Sequence, residues 1–398
     1  MKKNFLAMAT LACGLLTFSA CSNDDDFAGN QQGIATEELC DVTVNFDFNV
    51  NAAGTTRAGR PLYSEEALQR VNNMKIYAFK EDGGTYKYVS EVEDKDGNGF
   101  GFNFTEDTGT ESKKSSIKDK LAKGNYKFLA VGYEEKTVTT YSPLDLVAGT
   151  TTLEQLQLKL ADTKRADEVF SGVSDIVTVN KDEETLTVSI TLNRVVAGIL
   201  AYFKNIPYYV GGEEEANIVK HLYVKVFAEG KAATLFDRKA AGEAEAGYTL
   251  LDIDLTSEQK DGDNNWYKNT KTTFNDNGTD VVIVANSFIK GGYALPVLNS
   301  GSTPTIQVVL TGDGGTPLKE MDVKVESTDG ATDITTGTKN FPLVANYYYS
   351  LGKKLKNDTD GGGGGETPDE PIDLTNDQDL VITVSAEWAH KIGLDLEM

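Results

Sequence analysis

Residues 41–60 read DVTVNFDFNVNAAGTTRAGR and set a strong strand directly ahead of a cuttable leash. Val42, Val44, Phe46, Phe48 and Val50 alternate with Asp41, Thr43, Asn45, Asp47 and Asn49. A period of two puts the first set on one face of an extended chain and the second on the other, as in a half-buried strand. Beyond Val50 the residues turn small, polar and glycine-containing up to Arg57 and Arg60. That composition favours an exposed loop open to proteases.

The far end repeats the pattern. Past the run Gly361–Gly365, the even positions Leu380, Ile382, Val384, Ala386 and Trp388 are apolar or small, with Thr383, Ser385 and Glu387 between them. The same parity resumes at Ile392, Leu394, Leu396 and Met398. Lys356 to Pro371 is polar, charged and rich in glycine. It reads as a flexible linker with a reach of roughly 5–6 Å times the square root of its length. A removable strand in front and a tethered strand behind suggest that the second replaces the first in a neighbouring molecule.

Composition narrows the alternatives. The net charge of −23 argues against nucleic-acid and anionic-membrane partners, both of which reward Lys and Arg. Seventeen Tyr, 17 Phe and 38 Gly favour strands and turns, so a mostly-β protein is expected. Cys13, Cys21 and Cys40 all precede the main body and fit no zinc or redox spacing. Cys40 could pair or react, but it reads more simply as a small apolar strand residue.

Met1 to Ala20 carries two lysines and an apolar run from Phe5 to Phe18, too short for a membrane span and typical of a secretory signal. Ser19-Ala20-Cys21 resembles a bacterial lipobox, which implies cleavage before Cys21 and acylation of its thiol. Ser22-Asn23-Asp24-Asp25-Asp26 resembles the export signal of Bacteroides-type surface lipoproteins. Phe27 to Glu38 is a polar leader without periodicity.

In the body, Pro61 and Ser64 suit the start of a short helix through Arg70. Strands are expected at 74–79, 86–92, 100–104, 124–133, 176–179, 185–192 and 195–203, and residues 153–160 fit either helix or strand. Further strands are expected at 221–228, 248–255, 281–285, 305–310, 321–325 and 347–351, with turn clusters at 275–278 and 312–315. Short strands at this spacing suggest two β-sandwiches in tandem, divided near Asn193.

Candidate chemistry is sparse. Asp94-Lys95-Asp96-Gly97-Asn98-Gly99 matches the opening of a calcium loop. Its twelfth position is Thr105 and its flanks read as strands, so a glycine-rich hairpin turn fits better. His221 and His390 are the only histidines, too few for a histidine metal site. Ser115 with Lys118, and Ser257 with Lys260, form S-x-x-K pairs without the partner motifs of an acyl enzyme. No catalytic residue, cofactor or metal is expected.

Taken in order along the chain, the lipobox, the Arg57 loop after the first strand, Gly124-x-Tyr126-x-Phe128 and Thr191-Leu192-x-Arg194-Val195-Val196-Ala197 resemble the Bacteroidetes fimbrillin family, the subunits of type V pili. Asn346-Tyr347-Tyr348-Tyr349 and the trailing Trp388 strand resemble it too. The resemblance implies two tandem transthyretin-like β-sandwich domains with a C-terminal donor-strand extension. It implies an outer-membrane lipoprotein precursor, anchored through Cys21, that becomes part of a cell-surface fimbria supporting cell adhesion. An arginine-specific protease would cut after Arg57, with Ala58 starting the mature subunit and Arg60 as second choice because Pro61 follows it. The strand carrying Val42, Val44, Phe46, Phe48 and Val50 would leave. The strand carrying Leu380, Ile382, Val384, Ala386 and Trp388, from an identical or related subunit, would take its place.

On this reading residues 1–20 are signal peptide, 21–57 a lipidated propeptide, 58–193 and 194–355 the two sandwiches, 356–371 a linker and 372–398 the donor segment. A cut site together with a donor strand favours a polymerising shaft subunit. An anchor would lack the useful cut site, and a tip would lack the donor. The rival class is a surface glycan-binding lipoprotein with exposed aromatic platforms. A further alternative is a C-terminal strand that pairs within its own chain.

Overall fold

Alternation at 41–50 and again at 185–192 yields two extended strands whose apolar rows face one core. A computed structural model describes residues 39–50, 70–71, 73–93, 100, 102–103, 112–133, 140–161, 165–267, 273–276, 279–284, 286–298, 303–329, 331–353, 370–375 and 380–385. In chain order the strands are β1 (Leu39–Val50), β2 (Arg70–Val71), β3 (Asn73–Asp82), β4 (Thr85–Val92), β5 (Phe102–Asn103), β6 (Ser112–Ala122), β7 (Gly124–Tyr133) and β8 (Gln157–Lys159). They continue with β9 (Val169–Val173), β10 (Val177–Val179), β11 (Glu184–Arg194), β12 (Ala197–Lys204), β13 (His221–Thr234), β14 (Ala240–Asp254), β15 (Gln259–Lys260) and β16 (Trp266–Tyr267). The last are β17 (Thr273–Asp276), β18 (Thr279–Val282), β19 (Ser287–Ala294), β20 (Ile306–Thr311), β21 (Pro317–Asp329), β22 (Tyr348–Leu351), β23 (Ile372–Asp373) and β24 (Leu380–Ser385). Among the described residues, helix is confined to three-residue 3-10 turns at 153–155, 215–217 and 313–315. The fold is mostly β, as composition requires.

Two large sheets carry the fold. The first runs β4-β3-β7-β9-β11-β1-β6, with β10 also on β7. The second runs β14-β13-β20-β21-β24-β22-β12-β19, with β23 on β12 and β8 on β13. β11 of the first sheet ends at Arg194 and β12 of the second begins at Ala197, while β8, earlier in the chain, already pairs with β13 of the second.

Three apolar clusters divide the interior. One lies within the first sheet and includes Val44, Phe46, Phe48, Phe100, Phe128 and Val188. Another lies within the second and includes Ile199, Phe203, Val224, Val308, Tyr349 and Ile382. A third draws on both, with Tyr77, Phe79, Leu129 and Val131 of β3 and β7 meeting Leu200, Ala233, Leu235 and Leu295. Strands β3, β7 and β12 bury residues on both faces, which is why they read as near-continuous apolar runs. The stretch from Leu192 to Ala197 feeds all three clusters in turn: Leu192 the first, Val195 and Val196 the shared one, Ala197 the second.

Arg194 is fully buried at this crossing. Its Nε donates to Glu168 Oε1 at 2.6 Å, and its guanidinium lies 5.2 Å from the centre of the Phe170 ring. Residues 153–160, ambiguous in sequence, divide into a 3-10 turn and β8, which pairs with Ala232–Thr234 of the second sheet. A distant partner decides that segment, so local periodicity could not. Arg70, the end of the expected helix, lies in β2, paired to β5; residues 51–69 lie outside the described residues.

Burial pushes the phenol pKa values of Tyr77 and Tyr349 well up. The Tyr349 hydroxyl donates to the Pro342 carbonyl at 2.8 Å and accepts from the Val344 N–H at 3.0 Å. A raised folded-state pKa stabilises fully below the unfolded value of 10.0 and is lost as pH rises beyond it. Denaturant midpoints measured at pH 8 and 11 are expected to fall at the higher pH. These two tyrosines should ionise only as the chain unfolds.

Candidate strand-exchange site

The site is the slot that β1 fills. β1 runs parallel to β11, from Val42 opposite Glu184 to Val50 opposite Leu192. On its other side it is antiparallel to β6, from Leu39 opposite Ala122 to Asn49 opposite Ser112. Val42, Val44, Phe46 and Phe48 are each 3% exposed or less. Phe46 stacks on Phe48 at 5.4 Å and meets Phe128 edge-on at 5.4 Å. Cys40 is a free, buried thiol in the same apolar row.

The polar face of β1 answers β6 in charge. Asp41 Oδ1 lies 2.9 Å from Lys120 Nζ, and Asp47 Oδ2 lies 3.7 Å from Lys114 Nζ. The hydrogen bond and charge of Asp41 hold the Lys120 ammonium pKa up. The Asp41 N–H donates to Asp182 Oδ1 at 2.6 Å. Among the described strands β6 pairs with β1 alone, so withdrawing β1 bares β11 and leaves β6 without its ladder. β1 is the first of the described strands, so its departure unthreads no other described strand.

Sequence reading missed β6. SKKSSIKDKLA carries only Ile117 and Leu121 as large apolar residues on its inward row, with Lys114, Lys118 and Lys120 exposed on the other. Lysine-rich strands of this kind guard sheet edges against stray pairing. Two apolar residues of equal parity among lysines are the signal that would have found it.

β24 lies between β21, to which it is parallel, and β22, to which it is antiparallel, in the second sheet of its own chain. Leu380, Ile382 and Val384 are buried there. β21 and β22 do not pair with each other, and the strand between them fills the resulting gap. This pairing within the chain corresponds to the alternative raised above, in which the C-terminal strand completes its own sheet. Ala386 and Trp388 lie outside the described residues, as do Cys21, Arg57, Ala58, Arg60 and the calcium-like turn at Asp94–Gly99. His221 Nδ1 lies 2.8 Å from Asp252 Oδ1 across the β13–β14 hairpin, a cross-strand contact.

These features define a mostly-β protein of curled, sandwich-forming sheets with a terminal strand held in a slot. The chain belongs to the family described as "Fimbrillin-A associated anchor proteins Mfa1 and Mfa2", whose model matches residues 37–287, and it is thus a fimbrial-family protein. Among solved structures it is similar to the fimbrial anchor protein Mfa2 from Porphyromonas gingivalis, at 14% identity over 78% of this chain and 90% of that one, with a TM-score of 0.38. It is also similar to the tip fimbrial protein Mfa3 from the same organism, in a C-terminally truncated form, at 14% identity over 80% and 96% of the two chains and a TM-score of 0.36. No curated protein matches.

Proposed function

We propose that the chain is a subunit of a cell-surface fimbria, exported as a lipoprotein acylated on Cys21 and activated when an arginine-specific protease cuts after Arg57. The cut frees β1, and a strand from the next subunit takes its place between β11 and β6. The observation that carries this reading is the placement of β1: first among the described strands, buried on one face, and followed in sequence by the small, polar and glycine-containing stretch up to Arg57 and Arg60. Residues 58–193 and 194–355 act as tandem transthyretin-like sandwiches, with 356–371 as the linker.

Physical chemistry supports the order of events. A tethered β1 has an effective concentration of about millimolar or more in its slot, which no diffusing strand overcomes. Cutting the leash abolishes that advantage. Four buried side chains at about 1.5–3 kcal/mol each, with the main-chain ladder, give an incoming strand ample driving force. Because Leu380–Ser385 complete their own sheet, the donor is assigned to the distal half of the C-terminal segment, Ile392 to Met398.

The internal position of β24 also favours a second reading, in which the chain is a tip that accepts a strand and donates none. One experiment separates these readings: digestion of the unlipidated chain with an arginine-specific protease, followed by intact mass and size-exclusion analysis. A shaft subunit gives cleavage after Arg57 and growing oligomers that vanish when residues 386–398 are deleted. A tip gives the cut without growth, and an anchor resists the cut.

A further inference from the structure

In a chain of net charge −23, β6 is unusual in exposing Lys114, Lys118 and Lys120 along one face. They stand opposite Asp47, Thr43 and Asp41 of β1, and both acids are ion-paired. Any strand that replaces β1 presents its outward side chains to these lysines.

The C-terminal segment offers two candidate strands that differ in this respect. β24 alternates its apolar row with Val381, Thr383 and Ser385, which are uncharged, and it is already paired on both sides. Ile392, Leu394, Leu396 and Met398 instead alternate with Gly393, Asp395 and Glu397. Run in the direction of β1, this strand can set Leu394, Leu396 and Met398 in the places of Cys40, Val42 and Val44. Asp395 then faces Lys120 and Glu397 faces Lys118. A shift of four residues sets Leu394, Leu396 and Met398 in the places of Val44, Phe46 and Phe48, with Glu397 facing Lys114. A shift of one residue would drive both acids into the apolar core.

We propose that Lys114, Lys118 and Lys120 make the β1 slot selective for an acidic incoming strand, its occupant being residues 392–398 of a second copy of this chain. The inference rests on the strand-exchange reading above. Exposed ion pairs contribute little to affinity, so the lysines act mainly on capture rate and register.

The test uses the full chain, cut between β1 and β2, and a fluorescent peptide of residues 389–398, with capture followed by anisotropy. The Lys114→Glu/Lys118→Glu/Lys120→Glu variant, checked for folding by circular dichroism, is expected to capture the peptide about ten-fold more slowly at low salt. That difference should collapse near about 0.5 M salt. A peptide carrying Asp395→Lys and Glu397→Lys should reverse the preference. Equal capture by both chains at low salt would overturn the role of the lysines while leaving strand exchange standing. Failure of the cut wild-type chain to capture the peptide, with β1 retained, would overturn the exchange reading and this inference together.

Discussion

Removing residues 379–398 is expected to unfold the second sheet, whereas removing only 386–398 leaves it folded. The first truncation takes out β24 and leaves β21 and β22 facing an empty strand position. It also removes Leu380, Ile382 and Val384, all buried in the second core. Truncating a single buried Leu or Ile to Ala costs about 2–5 kcal/mol, so losing three such residues and two ladders approaches the whole stability of a typical domain, about 5–15 kcal/mol. Far-ultraviolet circular dichroism and thermal melts of the two truncations decide the matter. A cooperative melt for the shorter chain, matching the intact protein, would mean that β24 is dispensable to its own fold.

The second large effect is expected at the crossing between the sheets. Glu168→Ala leaves the fully buried Arg194 guanidinium without its Nε partner. Breaking a buried pair by removing one partner costs about 3–5 kcal/mol, because the charge that remains in the interior loses compensation. Replacing both residues, as in Glu168→Leu/Arg194→Met, is expected to recover most of that loss, since the desolvation penalty leaves with the charges. Urea titrations of the three chains measure the difference. A Glu168→Ala loss under about 1 kcal/mol would place the pair among ordinary surface bridges.

How far the sequence could be read follows from where the determinants lie. β1 and β11 were legible because each has one buried face and strict alternation, and β12 because both its faces are buried. The slot was legible on one side only. Its β11 wall is patterned, but its β6 wall is an edge strand whose sequence is dominated by lysine and serine. β8 was not decidable, since three residues acquire strand character only by pairing with β13. β24 was recognised as a strand, but the sheet it joins within its own chain was not legible. Alternation fixes which face is buried and says nothing about which copy supplies the sheet.

The central claim is that β1 is exchanged for a strand of another copy, and native mass spectrometry during assembly tests it most directly. Starting from chain cut after Arg57, each subunit added to a growing oligomer is expected to release one amino-terminal fragment containing residues 39–50. The count of retained fragments should therefore fall in step with oligomer size. Oligomers that grow while every subunit keeps its fragment would contradict the account, because assembly would then use a surface other than the β1 slot.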